Sequence, residues 1–558
     1  MKFAEALINF LLKKNIKTIF SYPGEQIIEL YRELNNSPIK NILVRHEQGA
    51  AHMADGYSRI TNYVGVCLAT GGPGATNLIT GIGTAYKDSS SVLAITGRCE
   101  RKYINKNYFQ EIKMDFLNIY KGYLMDKPNL DNLENIFHDC LYSKKPISLN
   151  IPQDILKSKI IDSFNKYSEY KEYNDYNKYN NYNKYNNPNK YRHKHAGNNG
   201  DSKNSETIKD NIRESIKKIK DKLYNIGNVK KPLILIGQGI YGILPYRDMV
   251  KINNILKELD IPIVTTFPAR GVINENYKNS LGLIGRRGTI IGNNYLLESD
   301  IVISIGASLS YNTLPDGIRE SILKKIMPIN IEGKINSLED IKYIFEEINN
   351  LKVLNINNKS NIGENSLNNK SNINDNVKNN IMQKLGDYSS KIKEILDNLP
   401  EDGIITTDAG NHTVFVSLLK KCIIPRNIIS SHGMGTMGFG IPTSIGVKFG
   451  CLDYNMDREV ISINGDGGFQ MNLQELATIE ENNLKILMIV MKNNSLNVFG
   501  SIKNPNFNKI SEAYGIDNVY IEDVYDIGQN IKYYLRNNKP YLMVIECKNE
   551  KLPKPSMI

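Results

Sequence analysis

Nine short apolar runs constrain this chain more than any other feature. VGVCLAT (64–70), SVLAITG (91–97), PISLNIP (146–152), PLILIGQG (232–239), IPIVTTF (261–267), DIVISIGAS (300–308), EVISING (459–465), ILMIVMKNN (486–494) and YLMVIEC (541–547) all have strand length. Most are continuously apolar rather than alternating, the pattern of strands covered on both faces. Helical patterns lie between them, and glycine or asparagine closes several runs at the carboxyl end. These features predict repeated α/β units with parallel sheets. Ligands of such sheets bind beyond the carboxyl ends of the strands, so motifs at those ends carry extra weight.

The 558 residues are too many for one core, and three or four domains are expected. A hydrophobic share of 41% and a charged share of 23% are those of an ordinary soluble protein. No apolar run reaches the ~18–20 residues of a membrane helix. The N-terminal MKFAEALINFLLKKNIK places lysines inside a helical pattern and lacks the apolar core and cleavage site of a signal peptide. The six cysteines are far apart and form no C-x-x-C pair, which predicts free thiols in a reducing cytoplasm rather than a zinc ribbon or a disulfide framework. The net charge of +11 collects in Asn- and Tyr-rich stretches around 156–231 and 351–393. With no basic recognition helix and no zinc finger, that excess reads as solvated surface rather than a nucleic-acid footprint.

Two of these stretches divide the chain. Residues 165–204 and 355–380 have few aliphatic side chains and no amphipathic period, so they are expected to be disordered. The organisation predicted is a first domain at 1–160, a low-complexity insertion and linker at 161–228, a central domain at 229–345, a second linker at 346–392, and a last domain at 393–558.

The richest constellation lies in the last domain. In EVISINGDGGFQMNLQELATIEENNLKILMIVMKNN an apolar strand ends in Gly465-Asp466-Gly467, a helix follows, and a second strand ends at Asn493-Asn494. One right-handed β-α-β unit places Asp466 and Asn493 at the ends of neighbouring or near-neighbouring parallel strands. A carboxylate, an amide oxygen and a backbone carbonyl suit Mg²⁺, which commonly bridges to a diphosphate. The glycines let main chain approach a phosphate closely. An EF-hand is excluded, because the ligand series and closing Glu of such a loop are missing after Asp466. GGPGATN (71–77) lacks the Gly-Lys-Ser/Thr ending of a P-loop, so it reads as a tight backbone turn with Asn77 capping the next helix.

Gly465-Asp466-Gly467 with Asn493-Asn494 resembles the thiamine diphosphate signature, and the rest of the chain agrees. RHEQGAAHMADGYSR (45–59), GVCLATGGPGATNLITGIGTAYKDSSSVLAITG (65–97), SYPGE (21–25), YFQE (108–111) and SHGMGTMGFGIPTSIG (431–446) are similar to the acetolactate synthase and pyruvate oxidase group. The resemblance implies an α/β fold of three doubly wound parallel-sheet domains: pyrimidine-binding, central and diphosphate-binding. It assigns Glu47 to the aminopyrimidine nitrogen of thiamine diphosphate, where a hydrogen bond favours the imino tautomer and so deprotonation of the thiazolium carbon. It assigns Asp466, Asn493 and the Ser495 carbonyl to Mg²⁺, with Gly465 and Gly467 beside them. Met437 would wedge the cofactor into a bent shape, Gln110 and Gly24 would face the reacting centre, and Gly410, Asn411 and His412 would form a loop on the diphosphate side.

The activity implied is decarboxylation of pyruvate with transfer of the two-carbon unit to a second 2-oxo acid, as in branched-chain amino acid biosynthesis. The alternatives are a simple 2-oxo acid decarboxylase, another carboligase of the same fold, or a non-catalytic cofactor-binding paralogue with a regulatory role. A homodimer or homotetramer is implied, because Glu47 and the magnesium motif act on one cofactor from different subunits; a small regulatory subunit is a further possible partner. The chain departs from the pattern in three places. It has no Trp after Asn493-Asn494, Gly24 is followed by Glu25 rather than a second glycine, and Ser308 stands where the group carries an arginine. The last departure counts against FAD, which is structural in a synthase and redox-active in an oxidase.

Overall fold

The computed structural model describes residues 1–160, 201–226, 229–331, 335–351, 385–496 and 499–553. Three wholly parallel sheets organise them. The first holds β1 (Thr18–Ser21), β2 (Lys40–Leu43), β3 (Gly65–Ala69), β4 (Val92–Arg98), β5 (Lys121–Leu124) and β6 (Ile147–Pro152), in the order β2-β1-β3-β4-β6-β5. The second holds β7 (Pro232–Ile236), β8 (Ile263–Thr265), β9 (Ser280–Leu283), β10 (Ile301–Ile305) and β11 (Ile326–Ile329), in the order β11-β10-β7-β8-β9. The third holds β12 (Ile404–Thr407), β13 (Ile428–Ser430), β14 (Val460–Gly465), β15 (Leu487–Lys492), β16 (Asp517–Ile521) and β17 (Tyr541–Glu546), in the order β13-β12-β14-β15-β17-β16. All nine apolar runs are strands, and β3, β4, β6, β7 and β10 are buried at every residue. The three doubly wound parallel-sheet domains are therefore present.

Each sheet reverses its winding at a central point, between β1 and β3, between β7 and β10, and between β12 and β14, and the first and last sheets turn back again at one edge, where β6 and β17 lie inside β5 and β16. Such reversals leave a crevice at the strand ends, the usual ligand position in this architecture. The crevices decide where site residues can lie.

The helix Asp201–Ile226 runs through a region expected to be insertion and linker. Its Ile212, Ile216, Ile219 and Leu223 are buried in the core of the central sheet. Spacings of three and four residues put these side chains on one helical face. Burying each is worth about 1.5–3 kcal/mol, enough to dock a helix whose other faces are lysine-rich. The helices Leu338–Asn349 and Asp387–Asn398 likewise reach into the segment expected to be the second linker. The rest of the expected insertion, 161–200, and the biased stretch 355–380 lie outside the described residues.

The first and last domains share one continuous core, in which Phe20, Tyr57, Phe439 and Phe449 are buried together. Its axis is the pair of helices Glu47–Thr61 and Gly440–Asp453. A Cβ placed on Gly56 would lie 2.4 Å from the Thr443 carbonyl oxygen, and one on Gly446 would lie 1.9 Å from the Met53 carbonyl oxygen. Glycine is the residue that permits so close a backbone contact. At the far end Asp453 accepts hydrogen bonds from Thr18 Oγ1 (2.7 Å), Tyr57 OH (2.9 Å) and Lys40 Nζ (2.7 Å). No described helix is long and apolar enough to cross a membrane.

Candidate active site

Two groups of residues meet the strand ends. The first gathers on the turn after β3. Glu47 opens the Glu47–Thr61 helix, where the His46 imidazole caps the first turn by accepting from the Gln48 amide at 3.1 Å. Its carboxylate is buried against that turn: Asn77 Nδ2 donates to Glu47 Oε2 at 2.9 Å, and a Cβ on Gly74 would lie 3.2 Å from Oε1. Gly24 lies across the β1/β3 crevice, where a Cβ would meet Thr70 Cβ at 2.4 Å. Gln110 faces the same turn. It has φ +59°, Gly72 has φ +57°, and a Cβ on Gly72 would fall 2.7 Å from the Gln110 carbonyl oxygen. Left-handed backbone at Gly72 and this close approach together require a glycine. Thus Gly24, Glu47 and Gln110, remote in sequence, converge on residues 70–77. Asn77, expected to cap the following helix, instead ends the short helix Pro73–Asn77; Leu78 is the N-cap of Ile79–Asp88, and the Asn77 amide serves Glu47.

The second group surrounds the β12/β14 crevice. Asp466 begins the helix Asp466–Met471 at the end of β14 and is 2% exposed. Its Oδ2 accepts from the Asn494 amide (2.7 Å), the Asn493 amide (3.2 Å) and Asn504 Nδ2 (2.7 Å), while Oδ1 accepts from the Gly467 amide (2.9 Å). The β14 and β15 tips are therefore joined, as their adjacent parallel register requires. Asn493 Nδ2 donates to Asn549 Oδ1, which leaves its Oδ1 on the Ser495 side, 3.3 Å from the Ser495 amide. The Asp466 carboxylate and the Asn493 amide oxygen, on adjoining strand tips, are hard oxygen donors of the kind Mg²⁺ takes.

Glycines shape the floor of this crevice. A Cβ on Gly467 would press on Leu496 Cδ2 (2.7 Å) and Met437 Cε (3.3 Å), so both side chains lie over this glycine. Gly465 faces His412 in the same way, at 3.3 Å from Cε1. Gly410, at φ +154°, precedes the helix Asn411–Leu419, and its missing Cβ leaves room for the His412 ring. His412 Nε2 is 2.8 Å from the Asp408 carbonyl oxygen, and burial lowers its pKa to about 4, so the ring is neutral. Neutral imidazole, main-chain amides and glycines suit an anionic diphosphate on steric grounds more than by charge.

Two buried carboxylates were not evident in the sequence. Asp408 follows β12 and accepts from the amides of Ala409 (2.7 Å), Gly438 (3.1 Å) and Gly440 (3.0 Å), so it holds the loop that carries Met437. Burial raises its pKa to about 6 against those hydrogen bonds. Glu475 lies nine residues beyond Asp466 and reaches into the first domain. An acid at a strand end (TTDAG) was a usable signal for Asp408; nothing local marks Glu475.

The crevice of the central sheet differs. Gly239 N donates to the Gly306 carbonyl at 3.0 Å, and a Cβ on Gly237 would lie 2.2 Å from the same oxygen. Main chain from both sides meets there, so the loops after β7 and β10 touch directly.

Comparison with known proteins agrees with this geometry. Residues 1–119 match the family model for the thiamine pyrophosphate enzyme N-terminal TPP binding domain, 219–336 the central domain, and 408–545 the C-terminal TPP binding domain. An uncharacterized protein of Methanocaldococcus jannaschii is 54% identical across 100% of this chain and 99% of its own length. A probable acetolactate synthase large subunit of Methanococcus aeolicus is 31% identical over 97% of this chain and 91% of its own, and one of M. jannaschii is 31% identical over 98% and 92%. With three domain models matched in order and two half-sites at the crevices those models span, the chain belongs to the thiamine pyrophosphate enzyme family.

Proposed function

We propose that the protein is a thiamine diphosphate- and Mg²⁺-dependent enzyme of acetolactate synthase type, acting on pyruvate and a second 2-oxo acid. The convergence of Gly24, Glu47 and Gln110 on one turn carries the reading, because it gathers a buried carboxylate and the main chain of two remote segments at a single strand end. The likeness to probable acetolactate synthase large subunits supports the choice within the family.

When bound, thiamine diphosphate supplies a carbon acid whose conjugate base adds to a 2-oxo acid and accepts the electron pair left by CO₂. Asp466, Asn493 and the Ser495 carbonyl would hold Mg²⁺, and Gly410, Asn411, His412, Gly465 and Gly467 would admit the diphosphate. Met437 and Leu496 bear on the Gly467 turn and would set the shape of the bound molecule. Glu47 would share a proton with the aminopyrimidine, with Asn77 fixing its Oε2 and leaving Oε1 to do so. Gln110 and the Gly24 main chain would border the substrate.

A second copy of the chain would complete each site. Phe109 is 72% exposed and Phe499 89% exposed beside the site loops, in keeping with faces covered by a partner. All six cysteines are free and buried, which favours a reducing cytoplasm. Flavin is left out of the reading, because Ser308 stands where the resemblance expects an arginine.

The test is a product assay with pyruvate, thiamine diphosphate and Mg²⁺. Acetolactate supports the proposal; acetaldehyde alone makes the protein a simple decarboxylase. Cofactor binding with no turnover of several 2-oxo acids would mark a non-catalytic paralogue.

A further inference from the structure

Glu475 is fully buried yet belongs to neither half-site. It ends a short turn, Leu473–Glu475, that continues the helix beginning at Asp466. Its carboxylate crosses to the first domain, where Oε1 accepts from the amides of Arg45 and His46, both at 3.0 Å. Oε2 takes a second, longer contact from the Arg45 amide (3.2 Å) and a hydrogen bond from Thr478 Oγ1 (2.7 Å). The two amides immediately precede Glu47. Gly49, in the next turn, leaves the space the carboxylate occupies, since a Cβ there would be 2.4 Å from Oε1. An acid at a helix N-terminus is favourable in itself. The Arg45 guanidinium pairs with Glu481 at 2.9 Å, so it is not the direct counter-ion of Glu475.

We propose that Glu475 is a positioning residue for Glu47. It fixes the main chain that carries Glu47 to the segment that carries Asp466, while Asn77 fixes the Glu47 side chain from the opposite side. The inference rests on the reading that Glu47 meets the aminopyrimidine of the cofactor. The full-length protein with Mg²⁺ and thiamine diphosphate is the material for the test. Glu475→Gln keeps the shape and one acceptor oxygen but removes the charge and puts a donor at the Oε2 position, opposite the Arg45 amide and the Thr478 hydroxyl. Gly49→Ala keeps the charge and pushes the carboxylate aside, so it guards against a folding failure in the first variant.

Both variants should bind thiamine diphosphate within about threefold of wild type by calorimetry. In both, hydrogen–deuterium exchange at the reactive carbon of the bound cofactor should slow by about 10- to 100-fold, the cost of a small misplacement of a proton-transfer group. A purely structural clamp would lower thermal stability and leave that exchange rate alone. Exchange at the wild-type rate in both variants overturns the positioning role. Wild-type protein that binds no thiamine diphosphate overturns this inference and the functional reading together.

Discussion

Replacing Asp466 by alanine separates what the carboxylate does for the fold from what it does for a metal. Without any metal, Asp466 accepts from the amides of Asn493 and Asn494 and from Asn504 Nδ2, and so pins the β15 tip to β14. Hydrogen bonds to a charged acceptor contribute about 1.5–3 kcal/mol each. The 2.7 Å bond from the Asn494 amide is the shortest to a backbone donor. Its loss should raise the local opening equilibrium, and hence the exchange rate of that amide, by about 10- to 150-fold. Native-state hydrogen exchange read by mass spectrometry on the peptide spanning 493–496 gives the value directly. The sheet core at 487–491 should keep its protection, because its ladder does not involve Asp466. Adding Mg²⁺ and thiamine diphosphate should protect the tip further in wild type and leave the variant unchanged. Unaltered exchange at Asn494 in the variant without metal would refute the hydrogen-bond reasoning. Normal cofactor-dependent protection in the variant would refute the metal site.

Four further outcomes are expected. Glu47→Gln should retain thiamine diphosphate and lose most turnover, measured by calorimetry beside the pyruvate assay. Asn77→Ala should lower kcat several-fold with cofactor affinity unchanged, since about 1 kcal/mol of support for Glu47 is lost. Asp408→Asn should loosen the loop at 437–440 and weaken cofactor binding, because the amide nitrogen faces donors that the carboxylate accepts. Burial raises the Glu475 pKa from 4.5 to about 7, so the folded protein holds that proton more tightly than the unfolded chain does. Its contribution is therefore complete below about pH 4.5, declines as pH rises, and is lost by about pH 7. Thermal midpoints of wild type and Glu475→Gln, compared across pH 4.5–7, should diverge in that sense and run parallel above it.

The strands buried on both faces were legible because continuous apolar runs have few other uses. Strands with mixed composition were not: β1 (TIFS) and β12 (IITT) are half hydroxyl side chains and do not stand out as apolar runs, although they border the crevices. Asp466 and Asn493 were legible because their spacing is that of one β-α-β unit. Asn77 was misread, since an Asn before a helix commonly caps it, and only the packing of Pro73–Asn77 turns its amide toward Glu47. The helix Asp201–Ile226 was hidden by its composition, although Ile212, Ile216, Ile219 and Leu223 carried a helical period. Glu475 does its work mainly through main-chain amides, which leave no trace in side-chain pattern, whereas the place of Asp408 at a strand end was a signal left unused.

The glycine seam between helices Glu47–Thr61 and Gly440–Asp453 has a mechanical consequence. Where backbone rests directly on backbone, no long side chains remain to slide or change rotamer, and the joint cannot yield gradually. The Glu47 end and the Asp466 end of a chain must then move as a single block. The exposed rings of Phe109 and Phe499 lie outside this joint. Substitutions that enlarge the seam, such as Gly446→Ala, would force the two helices apart, since the added carbon would lie 1.9 Å from the Met53 carbonyl oxygen.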